Sequence, residues 1–259
     1  MRSVERGFSL WLFTFVAVIL LATGDGVVQA QDDANMPATD GGGQEVLQSL
    51  FVPFIAHAPF SLTLGTEWVR PLNNGGTFTV VNSRPIKRDS VGRLYEERWL
   101  LSPKGSKVPS QMSWIQIADP TTHTLCQCNV PKKICELLVL LDRVDLRFHP
   151  DLMKTGTVTD DKGSRTHEDL GGQYFAGLPV HEYRDTTTAN AGVLGNDLPM
   201  STVRQDRFSS ELGINLFSTL DSPHVGRQIF TVTEISTSEP DRLSFSHLRV
   251  IWWLIAARL

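Results

Sequence analysis

The stretch from Phe60 to Trp68 sets the fold class. Phe60, Leu62, Leu64 and Trp68 alternate with Ser61, Thr63, Gly65 and Glu67, a period of two that fits a strand with one face on a core and the other towards water. Asn73-Asn74-Gly75-Gly76 then supplies residues that tolerate positive φ, and Thr77 to Ile86 returns as a β-branched strand. The turn at Asp89-Ser90-Val91-Gly92 leads into Arg93–Leu101, then Met112–Ala118, then a turn at Asp119-Pro120. These segments predict an antiparallel meander.

The second half repeats the pattern. Asp169–Thr188 reads as a short strand, a glycine break at Gly171-Gly172, another glycine at Gly177 and a long threonine-ended strand. Pro199–Ser209, Leu212–Leu220 and Arg227–Ser236 follow, which brings the expected count to about eleven strands. The expected fold is mostly β: a meander forming a curved sheet, a half-barrel or a sandwich. One short helix is expected at Glu45–Phe51, stopped by Pro53.

The N-terminus carries an export signature. Arg2 and Arg6 precede the apolar run Phe8–Ala22, and Val28-Gln29-Ala30 offers small residues at the positions a signal peptidase reads. Cleavage is expected after Ala30, because the run is shorter than the roughly 20 apolar residues that span a bilayer. The organisation that follows is a signal peptide (1–30), a glycine-ended linker (31–43), one β-rich domain (44–241) with a long loop at 142–168, and an apolar tail (242–259). The expected location is periplasmic or extracellular, with membrane contact only through the signal peptide before cleavage.

In an oxidising compartment the clustered cysteines Cys126, Cys128 and Cys135 point to a disulfide. Pairing Val130 with Lys133 across the hairpin tip sets Cys128 opposite Cys135, the favoured bond, although Cys126 shares their face and offers an alternative. Three soft ligands without a histidine in register do not make a metal centre. A net charge of −4 and a pI near 6.0 give no field for nucleic acid.

Several blocks carry a resemblance: RDSVGRLYEERWL (88–100), ADPTTHT (118–124), EDLGGQYFAGLPVHEYRDTTT (168–188), GNDLP (195–199) and SSELGINLFSTLDSPHVGRQIFTVTEISTSEPD (209–241). Over roughly Pro53–Asp241 the chain resembles an uncharacterised family of exported bacterial proteins. The order of a glycine-broken strand, a threonine-ended strand and a strand bearing S-x-E-L-G is also similar to the curved half-barrel sheet of the periplasmic lipoprotein-carrier superfold. The resemblance implies a β-rich exported domain and brings no catalytic residues. After Asp241 the chain departs from the family pattern, as a shifted reading frame would make it do. A terminal element packed on the sheet is the other reading of that tail.

No nucleophile elbow, phosphate loop, dinucleotide fingerprint or metalloprotease motif is present. His167-Glu168 and His181-Glu182 invite a metal or acid/base reading, but neighbours on a strand face opposite ways, so His181 and Glu182 cannot serve one site. No catalytic residue, metal or cofactor is assigned. The leading expectation is a non-catalytic envelope protein that binds an apolar small molecule or lipid through Phe60, Leu62, Leu64, Trp68, Trp99, Ile214 and Leu216. Two alternatives are a secreted hydrolase using His149, His167 or His181 around the 142–169 loop, and a structural module with a filled core.

Overall fold

The computed structural model describes residues 50–140 and 149–246, all within the compact unit Leu47–Leu259. The predicted signal peptide, the linker and most of the apolar tail lie outside the described residues. Among the described residues, thirteen strands form one sheet. In the first half these are β1 (Phe60–Pro71), β2 (Thr77–Arg88), β3 (Leu94–Trp99), β4 (Ser102–Pro103), β5 (Met112–Asp119), β6 (Thr124–Asn129) and β7 (Ile134–Val139). In the second they are β8 (Gly156–Thr159), β9 (Gly163–Phe175), β10 (Leu178–Ala189), β11 (Met200–Ser209), β12 (Ile214–Ser222) and β13 (Gly226–Ser236).

The strand order is β7-β6-β5-β3-β2-β1-β13-β12-β11-β10-β9-β8, with β4 paired to β2 off this path. The chain thus winds outward from β1 to one edge, crosses to the opposite edge, and winds back until β13 pairs antiparallel with β1. The described strands form a curved, open antiparallel sheet, and the sandwich alternative is set aside because every described strand belongs to that one sheet.

Three sequence expectations need correction. The two strands absent from the expected eleven are β4, only two residues long, and β8, which is polar and exposed throughout. The described part of the expected 142–168 loop holds β8 and the first residues of β9. Among the described residues there is no α-helix. Of the helix expected at Glu45–Phe51, residues 45–49 lie outside the described residues; Leu50 and Phe51 are irregular, with Leu50 and Val52 drawn into the core, 8% and 5% exposed.

The glycine break at Gly171-Gly172 is a β-bulge inside a continuous strand. Glu182 of β10 faces Gly171 and Tyr183 faces Asp169, which leaves Leu170 as the extra residue. Gly171 sits at φ +95°, a conformation in which a side chain would be strained. Further register shifts occur between β1 and β13, β3 and β5, and β11 and β12, each adding local twist to the curve.

The main core joins the two halves. Phe60, Leu62 and Leu64 of β1 pack with Ile86 of β2, Leu94 of β3, Phe230 and Val232 of β13, and with Leu212, Ile214 and Leu216. Arg88 closes the end of this core with no exposed surface. Its guanidinium donates to the carbonyls of Pro53 (2.9 Å), Ala58 (2.9 Å) and Leu212 (2.7 Å) and lies 4.8 Å above the Phe60 ring. Burial draws its pKa down to about 10, so it stays charged at neutral pH.

A second cluster gathers Ile115 and Ile117 of β5, Cys126 and Cys128 of β6, and Phe245. Phe245 ends a 3-10 turn (Arg242–Phe245) begun by Asp241, whose carboxylate accepts from the Leu243 amide. The first residues after Asp241 are therefore packed on the sheet. Cys128 and Cys135 are direct cross-strand partners joined by a disulfide, and Lys133 donates to the Val130 carbonyl at the predicted hairpin tip. Cys126 is the buried free thiol, its Sγ 4.0 Å from that of Cys128, and burial pushes its pKa up. Native Cys126 is expected to react with iodoacetamide at least about a hundredfold more slowly than in concentrated guanidinium. Peptide mapping of the alkylated protein reads this directly, and equal native and denatured rates would contradict the burial.

Candidate functional site: a cavity beside the β9–β10 hairpin

A cavity of about 540 Å³ opens where β9, β10 and β11 meet the 3-10 turn at Pro150–Leu152. Strand periodicity explains its wall. Pro179, His181 and Tyr183 alternate along β10 and share a face. Across the ladder His181 is paired with Phe208 of β11 on one side and with Gly172 of β9 on the other. The His181 ring stands close over Gly172, where a Cβ would come within 3.4 Å of Nε2. Val180, Tyr174 and Gln173 from the hairpin, Ser210 after β11, and Asp151 from the turn complete the lining.

Aromatic rings dominate this region. Tyr183 stacks on His167 at a centroid distance of 5.5 Å and an interplanar angle of 16°, and its other neighbour is His181 at 5.9 Å. Phe208 meets His149 edge-on at 6.0 Å, and His149 in turn meets Phe51 at 6.1 Å. His167 is buried, 4% exposed. Its Nδ1 lies 3.1 Å from Asp185 Oδ1, so the imidazole N–H donates to that carboxylate, while Nε2 is buried without a partner.

The electrostatics are acidic. His181 Nδ1 lies 3.4 Å from Asp169 Oδ1. The Tyr183 hydroxyl is pushed above its ordinary pKa first by burial, then by the negative charges of Asp169 and Asp151. On the same face, Asp206 is the register partner of Tyr183 and only 1% exposed. Burial raises its pKa in spite of Arg204, whose Nε lies 3.0 Å from Asp206 Oδ2.

The seven residues expected to bind ligand do not line this cavity. Phe60, Leu62, Leu64, Ile214 and Leu216 are 0–4% exposed within the main core. Trp68 is also buried and donates through Nε1 to the Val225 carbonyl at 2.8 Å. Trp99, half-buried on β3, donates to Glu97 at 2.8 Å. Their alternation marked the side of β1 and β12 that packs, which is a core signal and not a pocket signal.

His181 and Glu182 do point apart, as strand geometry requires. Glu182 takes hydrogen bonds from Gln173 and Gln205 and faces Arg207 at 3.6 Å. His149, His167 and His181 do converge on the cavity region, although only His181 lines it. A Ser210, His181, Asp169 set is also present, yet among the described residues no hydrogen bond joins Ser210 to His181. No group of three or more His, Cys, Asp or Glu side chains is placed to hold a metal among the described residues.

Asp169 reaches Tyr183 only through the bulge. In unbroken register from Glu182–Gly171, Tyr183 would face Leu170, and Asp169 would fall opposite Arg184 on the other face. The Gly-Gly pair was the sequence signal for this shift.

No protein-family model matches the chain, and no curated protein matches it. Among solved structures it is similar to the MucA/MucB complex of Pseudomonas aeruginosa, at 14% identity and a TM-score of 0.36, over 73% of this chain and 55% of that one. A DUF1329 family protein from Desulfovibrio piger matches at 9% identity and a TM-score of 0.30, over 74% of this chain and 92% of that one. The lipoprotein LppX of Mycobacterium tuberculosis matches at 9% identity and a TM-score of 0.28, over 67% and 84%. The match therefore spans little more than half the length of the MucA/MucB chain. All three likenesses are at 14% identity or less and at TM-scores well under 0.5, too low to place the chain in a family.

Proposed function

We propose that the protein is a non-catalytic, exported envelope protein that binds an apolar small molecule or a lipid chain in the cavity beside the β9–β10 hairpin. The observation that carries this reading is the cavity itself: about 540 Å³ walled by Pro179, Val180, Tyr183 and Phe208, which falls in the range of small-molecule sites with mostly apolar linings. The apolar run at Phe8–Ala22 and the Cys128–Cys135 disulfide support export. No helix of the described residues is long and apolar enough to cross a membrane. Phe60, Leu62, Leu64, Trp68, Trp99, Ile214 and Leu216 belong to this proposal as the scaffold behind the site.

The test uses an environment-sensitive apolar dye and mass spectrometry of an organic extract. Dye fluorescence is expected to rise on binding. Ser210→Trp, an exposed wall position, is expected to weaken binding at least about tenfold by filling the cavity, without lowering the melting temperature. An empty extract together with an absent dye response would refute the reading. The Asp169–His181 pair beside Ser210 favours a hydrolase as the second reading. Ester turnover that is lost in both Ser210→Ala and His181→Gln would establish it in place of the first.

A further inference from the structure

Resting on that reading, we infer that the cavity selects ligands carrying a cationic ammonium group, so that its natural occupant is an amine-bearing amphiphile. Two independent features of the wall converge on this chemistry. The first is aromatic. Tyr183, Phe208 and Tyr174 line the cavity, and the negative π-face of an aromatic ring attracts an ammonium within about 6 Å. Tyr183 is held in place by the face-on stack of the buried His167, which occupies one of the two faces of the tyrosine ring and is itself held by Asp185.

The second feature is charge. Asp151 lines the cavity and no Lys or Arg does. Asp169, 40% exposed, stands next to it in the field felt by Tyr183. The imidazole of His181 is turned by its Nδ1 towards Asp169. The nearby cations are occupied elsewhere: Arg204 pairs with Asp206, Arg165 approaches Asp185 at 3.7 Å, and Arg207 lies over Phe175 and Phe217 at 5.2 and 4.7 Å, facing Glu182 on the opposite side of β10. An anionic head group would meet two carboxylates and no Lys or Arg on the lining, which disfavours it more than a neutral one.

The test compares three probes with the same twelve-carbon chain, used below their micelle concentrations: dodecyltrimethylammonium, dodecyl maltoside and dodecyl sulfate, with tetramethylammonium as the chain-free control. Calorimetric titration of the full chain at low salt is expected to give the cationic probe about tenfold tighter binding than the maltoside, with the sulfate weakest. The Asp151→Asn/Asp169→Asn double variant is expected to bring the cationic and neutral probes within about twofold of each other. Both positions are exposed, and an unchanged melting temperature reports that the variant is folded. Equal cationic and neutral affinities in the native protein, or tighter binding of the sulfate, would overturn the inference and leave the apolar site standing. Tetramethylammonium binding as tightly as the chain probe would uphold charge selection and overturn the lipid reading. Failure of every probe would overturn both.

Discussion

Replacing Arg88 with leucine is expected to lower the unfolding free energy by about 3–5 kcal/mol, because a fully buried guanidinium is lost and three carbonyl acceptors, that of Leu212 buried, lose their donor together. Those acceptors belong to parts of the chain far apart in sequence. Pro53 and Ala58 precede β1, and Leu212 lies in the turn between β11 and β12. A planar guanidinium reaches all three from one position, whereas the single ammonium of lysine cannot spread its donors as widely. Arg88→Lys is therefore expected to recover less than half of the loss. Urea unfolding followed by tryptophan fluorescence measures both variants, and a loss below about 1 kcal/mol for leucine would mean that water satisfies the carbonyls.

The second large effect concerns Arg204 and couples stability to pH. Arg204 and Asp206 are 12% and 2% exposed, at 3.0 Å. Arg204→Met strips a buried carboxylate of its charged partner, leaving it the Ser218 hydroxyl, and is expected to cost about 3–5 kcal/mol at pH 7. Burial already raises the folded pKa of Asp206 above its unfolded value, and removing the cation raises it further. In that direction of shift the folded state holds a proton that the unfolded state has released. The stability contributed by neutral Asp206 is complete below the unfolded pKa and is lost as pH rises through the folded one. The variant should thus approach the native protein near pH 4 and fall furthest behind it at neutral pH. Asp206→Asn added to Arg204→Met should flatten that slope. Melting curves across the pH range decide, and a pH-independent deficit would show that packing by the arginine stem sets the cost.

The sheet was legible where one face alone is buried. β1 alternates cleanly because Phe60, Leu62, Leu64 and Trp68 all turn inward, and the hairpin with its favoured disulfide followed from the export signal, the turn residues and the register, with Cys126 left as the alternative. β8 left no signal because none of its four residues is buried. The loop expected over 142–168 failed for the same reason, since early β9 is mostly polar. The cavity was hidden for a different reason. Its wall pairs His181 with Phe208 and Asp169 with Tyr183, contacts that depend on inter-strand register and on one extra residue at the bulge. Adjacent-residue reasoning correctly separated His181 from Glu182. It could not bring His181 to Asp169, because the shift comes from the backbone at Gly171.

The pairing of β1 with β13 has a kinetic consequence. Leu62 faces Ile235 and Thr63 faces Glu234 at the middle of the sheet, so the central seam joins the first strand to the last. The other main ladders link strands close in sequence and can form locally as hairpins. The seam must await the whole intervening chain, and loop closure of that length slows the step that unites the two halves. For a polypeptide threaded across a membrane from its N-terminus, β1 would emerge with one edge unpaired and keep it open until β13 arrived. Through that interval the edge is exposed to other strands, and a holding chaperone would have its most useful point of contact there.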